Sequence, residues 1–161
     1  MKHIIVFFAA LLLGITASAQ SGKSIYQKYS DAENVSAVYV SPAMFRMIGQ
    51  IPDLEVGTDN VNLSSVIRTL SGLYILNSEN ASINSALRAD AERFVNSSRY
   101  ELLMEAKDSG QTVRMYTVGN DKTIEGFVMI SVDAGEVTFI CLDGQMPRKD
   151  FEELVSKEMS K

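Results

Sequence analysis

Cys141 and His3 are the only cysteine and the only histidine in the 161 residues, which narrows the chemistry open to this chain. His3 stands in an N-terminal segment with the form of a signal peptide. The mature chain is therefore expected to lack the side chain best suited to proton transfer near neutral pH. Ser-His-Asp and Cys-His systems fall out of reach, as do zinc sites built on imidazole. A single cysteine allows neither an internal disulfide nor a multi-cysteine metal site. Cys141 sits in the run Val137 to Leu142, which reads as a strand, so a buried structural thiol is expected. In an oxidising compartment it could also pair between chains. Glu101 and Glu105 could project from one strand face, and paired acids can hydrolyse glycosides. No spacing singles them out from solvated charges.

Asp59-Asn60-x-Asn62 has some calcium-ligand character but lacks the glycine and terminal Glu of a calcium loop, so a polar turn is the better reading. The glycines form no phosphate-cradling pattern, and no nucleophile elbow occurs. No catalytic residue, metal ligand or cofactor is expected, and the chain is not read as an enzyme.

The elements that position side chains are clearer. Ser24-x-x-Gln27 has capping-box spacing and predicts a short helix to about Ala32. Val35 to Val40 reads as a strand. Ser41-Pro42 supplies an N-cap and N1 proline for a helix through Met44, Phe45 and Ile48. Gly49 to Asn60 reads as an irregular connection, Leu63 to Leu70 as a short helix and Leu73 to Leu76 as a strand. Ala81 to Asn96 is the clearest helix, with Ile83, Leu87, Ala91 and Phe94 on one side. Four β-rich runs follow: Tyr100 to Ala106, Val113 to Val118, Ile124 to Val132 and Val137 to Leu142. The turns between them are too short for parallel crossovers, so they predict an antiparallel meander. Pro147 is expected to open a closing helix whose stripe is Phe151, Leu154, Val155 and Met159. The fold class is α+β: a two-layer sandwich with helices on one face of a mostly antiparallel sheet.

Period-two alternation turns Ile124, Val128, Ile130 and Val132 toward those helices. The opposite face then carries Glu125, Phe127, Met129, Ser131 and Asp133. In neighbouring strands Leu103 and Glu105, Arg114 and Tyr116, and Ile140 are read as sharing it. Such a mixture of aromatic, methionine and charged residues is enriched at contact surfaces. Arg114, Tyr116, Glu125, Phe127 and Met129 are the candidate partner-binding residues. The alternatives are a further helix covering that face, or scattered exposed apolar residues of the ordinary kind.

Composition and the N-terminus place the chain. Met1-Lys2-His3 precedes an apolar run from Ile4 through Ile15, then Ala17-x-Ala19, the form a signal peptidase reads. The run is too short for a spanning helix, which needs about 20 residues. Residues 1–19 are thus expected to be a cleaved signal peptide and residues 20–161 one domain, with its core over about 24–159. No cysteine stands at or near the cleavage site, so no lipid anchor is expected, and the chain should be periplasmic or secreted. Loss of Lys2 leaves 14 of the 15 basic residues against 20 acidic ones, a net charge of −6. That balance, without a basic cluster, disfavours nucleic acid and anionic membrane surfaces. Four Asn-x-Ser sequons, at Asn34, Asn62, Asn80 and Asn96, sit where turns and caps account for them.

With the elements placed, the chain resembles a family of small exported bacterial proteins known as domain-of-unknown-function family 4252. The resemblance lies in Val38-Tyr39-Val40-Ser41-Pro42-Ala43-Met44-Phe45, in Leu73-Tyr74-Ile75-Leu76 with Ser78-Glu79, and in Ile124-Glu125-Gly126-Phe127-Val128-Met129-Ile130. It covers about Tyr26 to Val155. It implies a bacterial envelope protein and supplies no catalytic residues.

Three functions are open to such a chain. The first is a non-enzymatic envelope domain that binds a protein or peptide through the mixed face or an open sheet edge. The second is a carrier or sensor of a small apolar ligand held between sheet and helices, with Met44, Phe45, Met47, Met104, Met115 and Met129 as adaptable lining. The third is a hydrolase using carboxylates alone.

Overall fold

The computed structural model describes residues 21–50 and 67–158, with side chains through residue 153. The expected signal peptide lies outside these residues, as do most of the Gly49 to Asn60 connection and the first half, residues 63–66, of the helix expected over Leu63 to Leu70. Leu70 itself opens a strand.

Helix α1, Gly22–Tyr29, starts one turn earlier than its sequence suggested. Ser21 is the N-cap, accepting from the Ser24 backbone N–H at 3.1 Å, while Ser24 Oγ accepts from the Ser21 N–H at 2.9 Å. Ser24 is therefore the reciprocal partner of the capping box and not its opener. The helix stops at Tyr29, short of Ala32, and Asn34 takes a left-handed φ of 55° ahead of the first strand. Strand β1 is Val35–Val40. Helix α2, Pro42–Ile48, follows at once, with Ser41 as N-cap and Pro42 in its first turn.

Strand β2, Leu70–Ser78, outruns the apolar segment that announced it. Helix α3, Ala81–Ser97, is capped by Asn80, whose Oδ1 accepts from the Ser82 N–H at 3.0 Å. The meander follows as β3 (Glu101–Asp108), β4 (Gln111–Gly119), β5 (Thr123–Val132) and β6 (Val137–Pro147). Ser109 and Gly110 both have positive φ between β3 and β4, the backbone that a two-residue hairpin matched to strand twist requires. Pro147 ends β6, and α4 runs Arg148–Glu158. A residue without an N–H sits easily at a strand end, so Pro147 closes the strand instead of opening the helix.

The six strands among the described residues form one antiparallel sheet in the order β1-β2-β6-β5-β4-β3. The α+β sandwich holds, and the two early strands extend the meander through the β2–β6 pairing. Helices α1 and α3 cover one face. There Ile25, Tyr29, Leu87, Ala91, Phe94 and Val95 pack on Tyr74, Leu76, Val128, Ile130, Phe139 and Cys141. Asp90 of α3 fastens the two helices: it accepts from the Tyr29 hydroxyl at 2.8 Å and pairs with Lys28 at 2.6 Å.

A second, smaller cluster gathers Ile124, Met146 and Phe151, with Leu70, Phe127 and Leu142 packed against it. It occupies one end of the opposite face, where α4 brings Phe151 to 5.6 Å from the Phe127 ring. Ile124 belongs here because the register shifts around Glu125. Gly126 pairs with Val118 and Asp143, but Ile124 pairs with Gly119 and Met146. A bulge breaks period-two alternation. Val128, Ile130 and Val132 face the helices as expected, and Ile124 does not.

Candidate interaction surface

Residues opposite one another in paired strands share a face of the sheet. Tyr116 lies opposite Val128 and Arg114 opposite Ile130, so both belong to the helix-covered face. Tyr116 packs against the main core. The Arg114 guanidinium reaches Glu92 of α3 at 3.1 Å and Glu105 of β3 at 2.6 Å. Lys107, 2.8 Å away, and after it Arg114 hold the Glu105 carboxyl below its usual range. The candidate set therefore divides. Arg114 and Tyr116 tie β4 to the helices, Phe127 and Met129 occupy the opposite face, and Glu125 is the exposed bulge residue between the two β5 registers. Assigning β4 the wrong parity caused the error.

Correct parity reveals a different arrangement. Val38 pairs with Ile75, Ile75 with Ile140, Ile140 with Met129, Met129 with Met115, and Met115 with Met104. One cross-strand row on the opposite face thus carries an apolar residue in every strand. Strands lie about 4.8 Å apart, so the row is roughly 24 Å long. Val38 is exposed and the other five are half-buried. The adjoining row toward α4 holds Val40, Leu73, Leu142 and Phe127, the last against Phe151. On the other side Ser36, Asn77, Thr138 and Ser131 form a polar margin over β1, β2, β6 and β5, and Val113 and Ala106 continue that row as apolar residues on β4 and β3. A helix does lie over this face, as the alternative reading had it, but it is α4, and it meets the Phe127 end.

The methionines bear on the small-ligand reading. Met104, Met115 and Met129 lie on the face opposite α1 and α3, so they do not line a space between sheet and helices. Met44 and Met47 are exposed on α2, at 47% and 66%, while Phe45 is buried.

The expected carboxylate pair is likewise separated. A register shift between Leu102 and Met104 places Glu101 opposite Thr117 and Glu105 opposite Arg114, on different faces of the sheet. Among the described residues no cluster of acids, cysteine or histidine has the makings of a metal site.

One polar group under the helices escaped the sequence reading. Cys141 is fully buried, and its Sγ donates to Asp143 Oδ1 at 3.6 Å. Burial pushes the thiol well above its ordinary value and raises the Asp143 carboxyl. Tyr74 stands beside them, its ring stacked on Tyr39 at 5.2 Å and its phenol pushed up to about 12, chiefly by burial. The inward parity of Cys141, carried two residues along β6, would have located Asp143. The thiol itself is the buried strand residue that its apolar run implied.

No helix among the described residues is long and apolar enough to cross a membrane. No curated protein and no solved structure matches this chain. A family model described as a domain of unknown function, DUF4252, matches residues 29–154, and the chain belongs to that family.

Proposed function

We propose that this chain is an exported, non-enzymatic interaction domain of the bacterial cell envelope that binds a protein partner through the apolar row of its sheet. The observation that carries this reading is the six-residue ladder Val38–Ile75–Ile140–Met129–Met115–Met104. A sheet covered on one side normally turns polar residues to water on the other. Extended apolar patches rimmed by polar residues mark contact surfaces, and three methionines in a row supply adaptable contacts. A flat ladder suits a broad apolar surface, whereas small molecules take concave sites. The N-terminal segment and the family resemblance support export. A net charge of −5 over the whole chain supports a partner that is neither nucleic acid nor an anionic membrane.

The test is cross-linking in cells that express the tagged chain, with trapped proteins identified by mass spectrometry. A specific envelope protein should be captured, and Met115→Ser with Met129→Ser should abolish its capture. Capture that persists in the folded double variant overturns the role of the row. A bound lipid-like molecule in native mass spectra, with no captured protein, would favour the carrier reading instead.

A further inference from the structure

The sheet ends at β3, and no described strand pairs with its outer edge. The register shift at Leu102/Met104 divides this strand, leaving Met104–Asp108 as its regular part. Within that part Glu105 lies opposite Arg114 and Lys107 opposite Thr112, on the helix-covered side, while Met104 and Ala106 lie on the other. Glu105 and Lys107 are thus an acid and a base two residues apart on one face, with their charged atoms 2.8 Å apart. Ala106 stands between them, small and exposed.

This pattern is self-complementary. We propose that a second copy of this chain pairs antiparallel along β3, with Ala106 on the two-fold axis, joining two six-stranded sheets into one. In that register Glu105 of each copy faces Lys107 of the other, and the four groups alternate in sign around the axis. Two-fold pairing keeps each side of one sheet continuous with the same side of its partner, so the match holds in three dimensions. Exposed Leu102 and Leu103, at 53% and 47%, would then lie beside the other copy's Ser109-Gly110 turn. Charges and bulges on edge strands usually discourage pairing. Here the bulge blunts only the first half, and the charges in the second half repel a strand of uniform sign while matching their own copy. The inference concerns the sheet edge and not the apolar row, so either can fail alone.

Site-directed disulfide formation tests it. Ala106→Cys would place two thiols directly opposite, within the span a disulfide bridges, while native Cys141 is buried and out of reach. Leu102→Cys is the control, because the same register sets its two copies roughly 27 Å apart along the strands. The expected result is a covalent dimer of A106C under mild oxidant and none of L102C. Wild type should sediment as a dimer, and K107E should raise its dissociation constant about tenfold by setting acid against acid. A wild-type chain that stays monomeric at every concentration, or A106C that cross-links no faster than L102C, overturns the proposal.

Discussion

Met115 and Met129 face each other across β4 and β5, on the side of the sheet away from α1 and α3. Their immediate neighbours Tyr116 and Val128 face each other on the helical side. One step along β4 therefore separates a side chain packed under the helices from one on the face away from them.

Tyr116→Ala and Met115→Ala should consequently differ in kind. Removing the Tyr116 ring takes packing from the main core and should cost about 2 kcal/mol, given its partial burial. Its effect on partner capture should follow that loss of stability alone. Met115→Ala should cost less stability and reduce capture at full folding. Chemical denaturation alongside capture by the tagged chain reads both. A stable Tyr116→Ala that loses the partner would return the binding surface to the helical face.

Gly22→Ala should be destabilising although it lies in a helix, where alanine is ordinarily the better residue. A β-carbon at Gly22 would overlap Cys141 Sγ and crowd its Cβ. Overpacking a filled core costs about 1–3 kcal/mol. Cys141→Ala in the same chain should return part of that loss, because it removes the atom that is struck. Thermal denaturation of the two single variants and the double variant completes the cycle. Additive losses would mean that Gly22 does not meet Cys141.

Asp90→Ala should loosen α1 from α3. The carboxylate is 5% exposed and takes the Tyr29 hydroxyl, Lys28 at 2.6 Å and Arg93 at 2.9 Å. Lys28 and Arg93 are well exposed and would return to water, so their pairs contribute little. The buried Tyr29 hydroxyl would be stranded, and an orphaned buried donor costs about 1–3 kcal/mol. Hydrogen exchange should quicken in Gly22–Tyr29 before it quickens in the sheet. Equal acceleration in both would show that Asp90 acts on the whole fold and not on helix docking.

The local fold was legible because local signals were strong. Ser41-Pro42 capped a helix, Asp108-Ser109-Gly110 turned a hairpin, and the four β-rich runs became consecutive strands. What escaped depended on partners distant in sequence. The bulge at Glu125 moved Ile124 across the sheet, and the shift at Leu102/Met104 put Glu101 and Glu105 on different faces. Period-two reasoning assumes an unbroken strand, and one extra residue inverts all that follows. For β4 the alternation Val113-Arg114-Met115-Tyr116-Thr117 mixes polar and apolar residues at both parities, so hydropathy could not choose between faces. Arg114 is covered because Glu92 and Glu105 meet its charge, a pairing visible only in three dimensions. Phe127 and Met129 were found on the open face, whereas Val38 and Ile75 entered through the β1–β2 and β2–β6 pairings.

Asp143 should make the folded state lose stability as the medium turns from acid toward neutral. Burial raises its carboxyl above the ordinary aspartate value of 3.8, outweighing the opposite influence of the Cys141 thiol. Between the unfolded and folded values the native state holds the proton more tightly, so rising pH favours unfolding across that window. Glu105 works the other way. Its folded value is lowered by Lys107 and Arg114, so its stabilising share is present above the unfolded glutamate value and lost as pH falls through the folded one. Comparing wild type with Asp143→Asn isolates the first effect, because Glu105 is common to both and the amide still accepts from the thiol. The stability of wild type relative to D143N should fall from pH 4 upward and level off once Asp143 is ionised in both states. A difference that stays constant with pH would mean that the carboxyl is solvated as freely in the fold as in the open chain.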